Sequence, residues 1–453
     1  MRIELCTRES LARATLLGIR LLTCGSAFAR RLNSLLHTKQ WGYQMEGWLN
    51  AFKEGGWLPS WSAPGDRGAM TGNMQDASIA DAIVKRKWLP SSFNASLAWE
   101  SVAKDAFTID PKGRKGLQLY EKHGFIPLGH SVGDEVSATL NYNLADWSMS
   151  LAASELGLTE EAAKLRNRST SWRMLFDASF KGGMMRPRYA NGSWLEPFDE
   201  FAWEGNSGEF TEAAPWQYRF YVPHEPKALA QMYGDKKELC AYLVETMTGE
   251  AAPGGGAAPG QVYHNGNCKI VILSRFVAVR LANPKAITIS GGLHHEQVEM
   301  VENCFGQYEH NNQPVWHMLY MAAPAGCPEV GQRFLRKATT DFYGPEYYSG
   351  DEDNGSMAAW YLLSALGLYQ LVPGSLDYSI GSPMYRHVRL TLDSGNVLEV
   401  KAPANSAERV YVAGVAWNGE ALPALSISYD KLMRGGTLSF DMTAEPDLAF
   451  RPA

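Results

Sequence analysis

Asp351, Glu352 and Asp353 sit in a glycine-bounded turn, Gly350 to Gly355, directly ahead of the apolar run Ser356-Met357-Ala358-Ala359-Trp360-Tyr361-Leu362-Leu363-Ser364-Ala365. A helix apolar on most faces is a buried helix. Carboxylates held at its N-terminal end meet unpaired backbone N–H groups and the positive end of the dipole, which favours the ionised form. A fixed, ionised, partly buried carboxylate is what a general base requires. The plainer reading is a helix cap with a solvated turn. A helix-loop-helix calcium site is excluded, because counting from Asp351 puts Gly355 and Leu362 where side-chain ligands are needed.

The best partner for that turn is Glu212, which is followed by Ala213, Ala214, Pro215 and Trp216. Apolar neighbours disfavour the charged carboxylate and raise its pKa, so Glu212 is expected to stay protonated and act as a general acid. Glu204 and Glu209 are nearby competitors. One acid environment that lowers the pKa and one that raises it is the arrangement glycoside hydrolysis uses. In Gln307-Tyr308-Glu309-His310-Asn311-Asn312-Gln313-Pro314, Glu309, Asn312 and Gln313 bring hard oxygen ligands suited to Ca2+; a hydrogen-bonded helix cap is the competing reading. His294-His295 has no third ligand at zinc spacing. In the Trp, Pro and Gly loop from Gly56 to Gly65, Trp61 could stack on a sugar, and Asp76, on the helix that follows, could bind hydroxyls.

These residues need a scaffold. From about residue 31 to 250 apolar residues recur with helical spacing, in runs such as Ala77 to Lys85, Ser137 to Leu156 and Glu160 to Leu175. The long loops between them are dense in Gly, Pro, Trp and acids. That pattern describes an α/α barrel whose loops at one end form the site. Residues 250–260 are a low-complexity linker, and the β-rich stretch Lys269 to Ser290 reads as an insertion, about 251–295 in all. Beyond residue 375 the pattern changes to alternating strands, at 387–392, 397–400, 410–412 and past Gly435-Gly436, which predicts an antiparallel β unit over 376–453. The fold class is therefore mainly α, with a catalytic domain over 31–375.

Residues 1–30 stay unassigned. Arginines punctuate a leucine-rich run that ends in small residues, which fits a poor signal peptide or a spurious start. The six cysteines form no CxxC pair and fix no redox compartment. Among 453 residues 45% are hydrophobic and 20% charged, and the net charge of −6 is spread without runs. This excludes a disordered chain and gives no footprint for nucleic acid. No stretch approaches the ~20 apolar residues of a membrane span. A monomer is expected. Asn-Xaa-Ser triplets at Asn94, Asn167, Asn191 and Asn354 are compatible with secretion but leave the location open.

Taken together, these stretches resemble glycoside hydrolase family 92, the calcium-dependent exo-acting α-mannosidases. The ordered matches are Gly56-Trp57-Leu58-Pro59 with Trp61 and Ala63-Pro64-Gly65, Ile79-Ala80-Asp81-Ala82, Thr139-Leu140 through Asp146-Trp147, Met185-Arg186-Pro187-Arg188 and Trp194-Leu195-Glu196-Pro197-Phe198. They continue with Thr211-Glu212, Trp216-Gln217-Tyr218, Val222-Pro223-His224, Asn312-Gln313-Pro314 with His317, the acidic turn, Ser364-Ala365-Leu366-Gly367 and Pro373-Gly374-Ser375. The resemblance implies an (α/α)6 barrel with β-sandwich structure and inverting release of terminal mannose from glycans, N-glycans included. Glu212 would be the acid and Asp353, supported by Asp351, the base. Their carboxyls would lie ~6.5 to 9.5 Å apart to admit a water. Trp61, Asp76, Trp216 and His317 would line the sugar site, and the Asn312-Gln313 loop would help hold calcium beneath the mannose.

The chain also departs from the family pattern. The large N-terminal β-sandwich and a Trp-Asp-x-Tyr-Arg stretch are missing, so the barrel is expected to be incomplete at its start. The usual Thr-Glu-Gly-Asn reads Thr211-Glu212-Ala213-Ala214, and Asn311-Asn312 replaces Gly-Asn. The alternative is a truncated, inactive relative that at most binds mannosides.

Overall fold

The computed structural model describes residues 4–5, 29–60, 70–234, 236–248, 269–273, 276–280, 287–288, 305–345, 347–350 and 355–447. Its helical part begins with α1 (Ala29–Leu36), α2 (Thr38–Gly55), α3 (Met74–Val84), α4 (Ala95–Phe107), α5 (Leu117–His123), α6 (Glu135–Glu155) and α7 (Thr159–Arg168). After a long irregular stretch come α8 (Pro215–Tyr218), α9 (Pro226–Met232), α10 (Lys236–Thr248), α11 (Met318–Ala325), α12 (Pro328–Asp341) and α13 (Ser356–Ala365). Helix α3 packs on α4 and α6, α6 on α7, α11 on α12, and α13 returns to α1. The result is a helical barrel followed by a β domain.

Helix α6 is the innermost of these, buried on nearly every face. Helix α13 is likewise wrapped by apolar side chains, as its sequence predicted, and starts at Gly355, whose φ of 93° suits glycine. Sequence periodicity carries the seventh helix on to Leu175, but α7 stops at Arg168. There Ser169 and Thr170 turn their hydroxyls onto the Arg166 and Asn167 carbonyls, and a 3-10 turn over Ser171–Met174 follows. Such side chains offer the backbone an alternative to the helical ladder.

The β domain holds a sheet of order β1-β9-β10-β14-β11-β12, with β1 at Glu4–Leu5, β9 at His387–Thr391, β10 at Val397–Lys401, β11 at Tyr411–Trp417, β12 at Glu420–Ala421 and β14 at Gly436–Thr443. The predicted strands are all present, and alternate residues are buried along β9 and β10. One pairing corrects the antiparallel expectation: β10 and β14 run parallel, with β11, β12, β13 (Ser426–Ser428) and the short helix α14 (Tyr429–Arg434) in the connection between them. The buried face of the sheet shares one apolar cluster with Leu32, Leu35 and Leu36 of α1 and Ala359, Leu363 and Leu366 of α13 or its end. Barrel and β domain thus meet through a common core. Smaller pairs complete the structure: β2 (Phe176–Asp177) with β3 (Met184–Met185), and β7 (Leu368–Tyr369) with β8 (Asp377–Ile380) and β13 (Ser426–Ser428). Strands β4 (Lys269–Leu273), β5 (Phe276–Arg280) and β6 (Ile287–Thr288) form an antiparallel sheet within the predicted insertion.

Thr246, near the end of α10, and Gln307 lie on either side of the predicted insertion, yet they are adjacent. The Gln307 N–H donates to the Thr246 carbonyl at 2.7 Å. Nearby, Cys240 of α10 is disulfide-bonded to Cys327, the residue before α12. Sequence could not show this bridge, because its partners stand 87 residues apart and only the fold brings their Cα atoms to 6.2 Å. Closing so long a loop removes much denatured-chain entropy. The double variant Cys240→Ser/Cys327→Ser should therefore lose about 2 to 5 kcal/mol of unfolding free energy in urea titrations. A change below about 1 kcal/mol would show that the bridge contributes little.

Candidate active site

Glu212 lies half-buried at the end of the irregular stretch, and it is one of the few non-glycine residues with positive φ, at 50°. Its predicted apolar setting is present: Ala213, Ala214, Pro215 and Trp216 are buried beside it. The Asn312 amide donates to the Glu212 carboxylate Oε2 at 3.1 Å and to its carbonyl at 3.3 Å. Gln217 makes a second tie between the two segments, accepting from the Ala214 N–H and donating to the Gln307 carbonyl, both at 2.8 Å. The expected acid and the expected metal loop are thus neighbours.

Gly350, the residue before the acidic run, approaches the same place. A β-carbon on Gly350 would stand 2.3 Å from the Asn311 carbonyl, and with φ at +80° only glycine fits there. Beyond the turn, Tyr343 bridges the two elements by donating to the Met357 carbonyl at 3.3 Å and lying 2.8 Å from His310 Nε2. His310 packs at 4.4 Å from the Trp360 ring of α13. Asp351 and Asp353 themselves, and Trp61, lie outside the described residues. Of the described residues flanking them, Gly350 packs against Asn311.

Other candidates take structural positions. His317 is buried, with Nε2 2.9 Å from the Phe220 carbonyl and its ring edge-on to Tyr221; burial pushes its pKa down to about 4. That corrects the sugar-binding expectation: a neutral, enclosed imidazole braces the backbone after the acid. Trp216 is also enclosed, one face stacked on Phe201 at 5.8 Å and the Arg219 guanidinium 4.7 Å from its ring. Phe201 and Arg219 thus cover its ring, and among the described residues its Nε1–H donates to no protein group.

Asp76 is 0% exposed, which corrects its reading as a hydroxyl-binding group. It accepts from Arg114 Nη2 at 2.8 Å, while Arg114 Nη1 reaches Asp146 at 2.6 Å. Asp146 of α6 also takes a two-pronged contact from Arg168 at 2.5 and 2.8 Å and the Tyr120 hydroxyl at 3.0 Å. Burial pushes the Asp146 carboxyl up, but the two guanidinium groups outweigh it and hold it below the usual range. Asp105 completes the chain, close enough to feel the Asp76 charge and accepting from the Asn73 amide at 3.1 Å. Burial first, and then the Asp76 charge, pushes Asp105 up to about 9. Two arginines face three carboxyls, so one shared proton leaves the network neutral.

Among the described residues no group of three His, Cys, Asp or Glu is placed to hold a metal. The loop carries donors of another kind: Glu309, whose carboxylate is fully buried, and Asn312, whose side-chain oxygen accepts from the Gln313 N–H. Hard oxygens from carboxylate, amide and backbone are a calcium-type set. On that chemistry the residues fit the ion.

With this geometry in hand, comparison with known proteins is direct. Residues 29–444 match the model of the glycosyl hydrolase family 92 catalytic domain. The fold is shared with a family 92 α-mannosidase of Bacteroides thetaiotaomicron solved with mannoimidazole, at a TM-score of 0.78 and 24% identity, covering 94% of this chain and 51% of that one. A family 92 inverting mannosidase of the same organism gives a TM-score of 0.75 at 30% identity, over 94% and 53% of the two chains. A protein of Arthroderma benhamiae named an uncharacterized secreted glycosidase is 24% identical over 440 residues, 88% of this chain and 48% of that protein. The chain belongs to glycosyl hydrolase family 92, and it spans about half the length of the relatives it matches.

The buried network carries a pH signature of definite sign. A carboxyl whose folded pKa is raised binds a proton in the folded chain that the unfolded chain has released, so its stability contribution is full at acid pH and lost as pH rises. For Asp105 that window runs from its ordinary range up to about 9. Asp105→Asn keeps a neutral group in place and removes the dependence. The melting temperature of the variant relative to the native chain should rise steadily from about pH 5 to about pH 9. A difference that is flat with pH would mean that no proton is shared.

Proposed function

We propose that this chain is a glycosidase that releases terminal α-linked mannose from glycans, with inversion at the anomeric carbon and with calcium. The observation that carries the reading is Glu212, held in a strained backbone beside an apolar wall and hydrogen-bonded to Asn312 of the candidate metal loop. Non-glycine residues with positive φ persist where surrounding structure over-determines them, and they gather at functional sites.

In the proposed reaction Glu212 gives its proton to the leaving oxygen as the bond from that oxygen to the sugar C1 breaks. A water attacks C1 from the opposite face and loses its proton to Asp353, with Asp351 beside it. The product is the free sugar with inverted configuration, and Glu212 regains a proton from solvent. Glu309, Asn312 and Gln313 would hold calcium through hard oxygen atoms. Bound there, the ion would contribute positive charge next to the sugar hydroxyls. The apolar wall excludes water from the side of the acid, which favours a neutral Glu212 before transfer. The Cys240–Cys327 bridge and the exposed Asn94 and Asn191 triplets support an oxidising, secretory location.

The test is release of mannose from an α-linked mannobiose by the purified chain, with calcium and then with a chelator. Glu212→Gln and Asp353→Asn should each lower kcat/KM by about 100-fold or more, and chelation should abolish turnover until calcium returns. Folded protein that binds mannose without releasing it would favour an inactive, mannoside-binding relative instead.

A further inference from the structure

The residues just before Glu212 are seated on the N-terminal end of α6 by an unusually complete set of bonds. The Gly208 carbonyl accepts from the Asp134 N–H at 2.7 Å, and the Glu209 carbonyl from the Val136 N–H at 3.1 Å and the Ser137 N–H at 3.4 Å. Thr211 then uses every polar group it has. Its N–H donates to Ser137 Oγ at 2.9 Å, its carbonyl accepts from the Tyr218 hydroxyl at 3.0 Å, and its own hydroxyl lies 2.8 Å from Asp134 Oδ1 and 2.5 Å from Thr71 Oγ1. One hydroxyl has one proton. Given to the carboxylate, where the bond is charge-assisted, it leaves the Thr211 oxygen to accept from Thr71. The relay Thr71 to Thr211 to Asp134 thus has a fixed direction.

Asp134 precedes α6 at the position where an aspartate usually caps the helix with its side chain, but it makes no such bond. Its backbone is left-handed, φ 53° and ψ 31°, and its carboxylate is aimed at Thr211 instead. Glu212, the next residue after Thr211, has the same uncommon backbone. Two non-glycine residues in that conformation therefore face one threonine from either side. Thr71 is fixed in turn, because its carbonyl accepts from the Asn141 amide of α6 at 3.0 Å and a β-carbon on Gly72 would clash with Asn141 at 2.6 Å.

We propose that Asp134, acting through the Thr211 hydroxyl together with Thr71, is a positioning residue that sets the direction of the Glu212 carboxyl toward the leaving oxygen. This rests on the reading of Glu212 as the acid. Asp134 need not touch substrate; its work is to clamp the residue whose ψ aims the acid.

Leaving groups separate this from a general loss of structure. An α-linked mannobiose needs its leaving oxygen protonated, whereas 2,4-dinitrophenyl α-mannoside departs without a proton. Thr211→Val and Asp134→Gly remove the clamp, and glycine accepts the left-handed backbone without strain. Both variants should lose about 10- to 100-fold in kcat/KM on mannobiose, yet stay within about threefold of the native chain on the dinitrophenyl substrate. Thr211→Ser, which restores the hydroxyl, should recover most of the lost rate. Equal losses on both substrates, no loss on mannobiose, or failure of the serine variant to recover would each overturn the proposal. Glu212→Gln assayed alongside keeps the two readings apart: if it shows no preference for the dinitrophenyl substrate, the acid assignment itself falls.

Discussion

The structure hangs on the carboxylate of Asp146. Both of its oxygens are filled by Arg114, Arg168 and Tyr120, and nothing of the group reaches solvent. A buried carboxylate is tolerable only with partners of this quality, and buried guanidinium groups are tolerable only with it. Through Arg114 the constraint extends to Asp76 on α3 and by the shared proton to Asp105 on α4; through Arg168 it extends to α7. Four helices are therefore held in one register by directional bonds where apolar packing alone would permit sliding. Such a network adds little net stability against an apolar alternative, and its value lies in admitting a single arrangement.

That arrangement matters because α6 runs from the buried charges to the candidate site. Asp146 lies midway along the helix; toward its N-terminal end Asn141, Ser137 and the preceding Asp134 hold Thr71 and Thr211. The site itself is built from loops with strained or glycine-only backbone: Glu212, Gly350 and Gly355. Loops of this kind take precise positions only when a rigid element beneath them dictates the geometry. Polar exactness at the core and backbone irregularity at the mouth are two ends of one device.

Much of this was legible in the residues. The buried character of α13 followed from its composition, the strands of the β domain from alternation, and the apolar setting of Glu212 from the residues after it. Asn312 beside Glu212 accords with the ordered motifs. What escaped reading depends on contacts between distant residues. Asp76 looked like a free acid on a helix because Arg114 and Asp105 are far along the chain. Trp216 and His317 looked available because sequence cannot say which face of a ring is covered. The helix that should have run to Leu175 stopped at Arg168 because two hydroxyls competed for its carbonyls. Gln217 carried no signal beyond belonging to a conspicuous stretch, Asp134 lay just ahead of a helical run without marking itself, and the parallel pairing of β10 with β14 was hidden by strands that alternate equally well in either direction.

The near contact of Thr246 with Gln307, guarded by the Cys240–Cys327 bridge, has an evolutionary side. Thr246 and Gln307, joined by a backbone hydrogen bond, form one doorway for the chain between them, so the length of that chain is decoupled from the geometry of the two ends. Doubling a loop anchored in this way costs only about 0.6 kcal/mol in closure entropy. The doorway is a place where sequence can be gained, lost or exchanged between lineages without disturbing the candidate site, and where a foreign module could be grafted for the same reason.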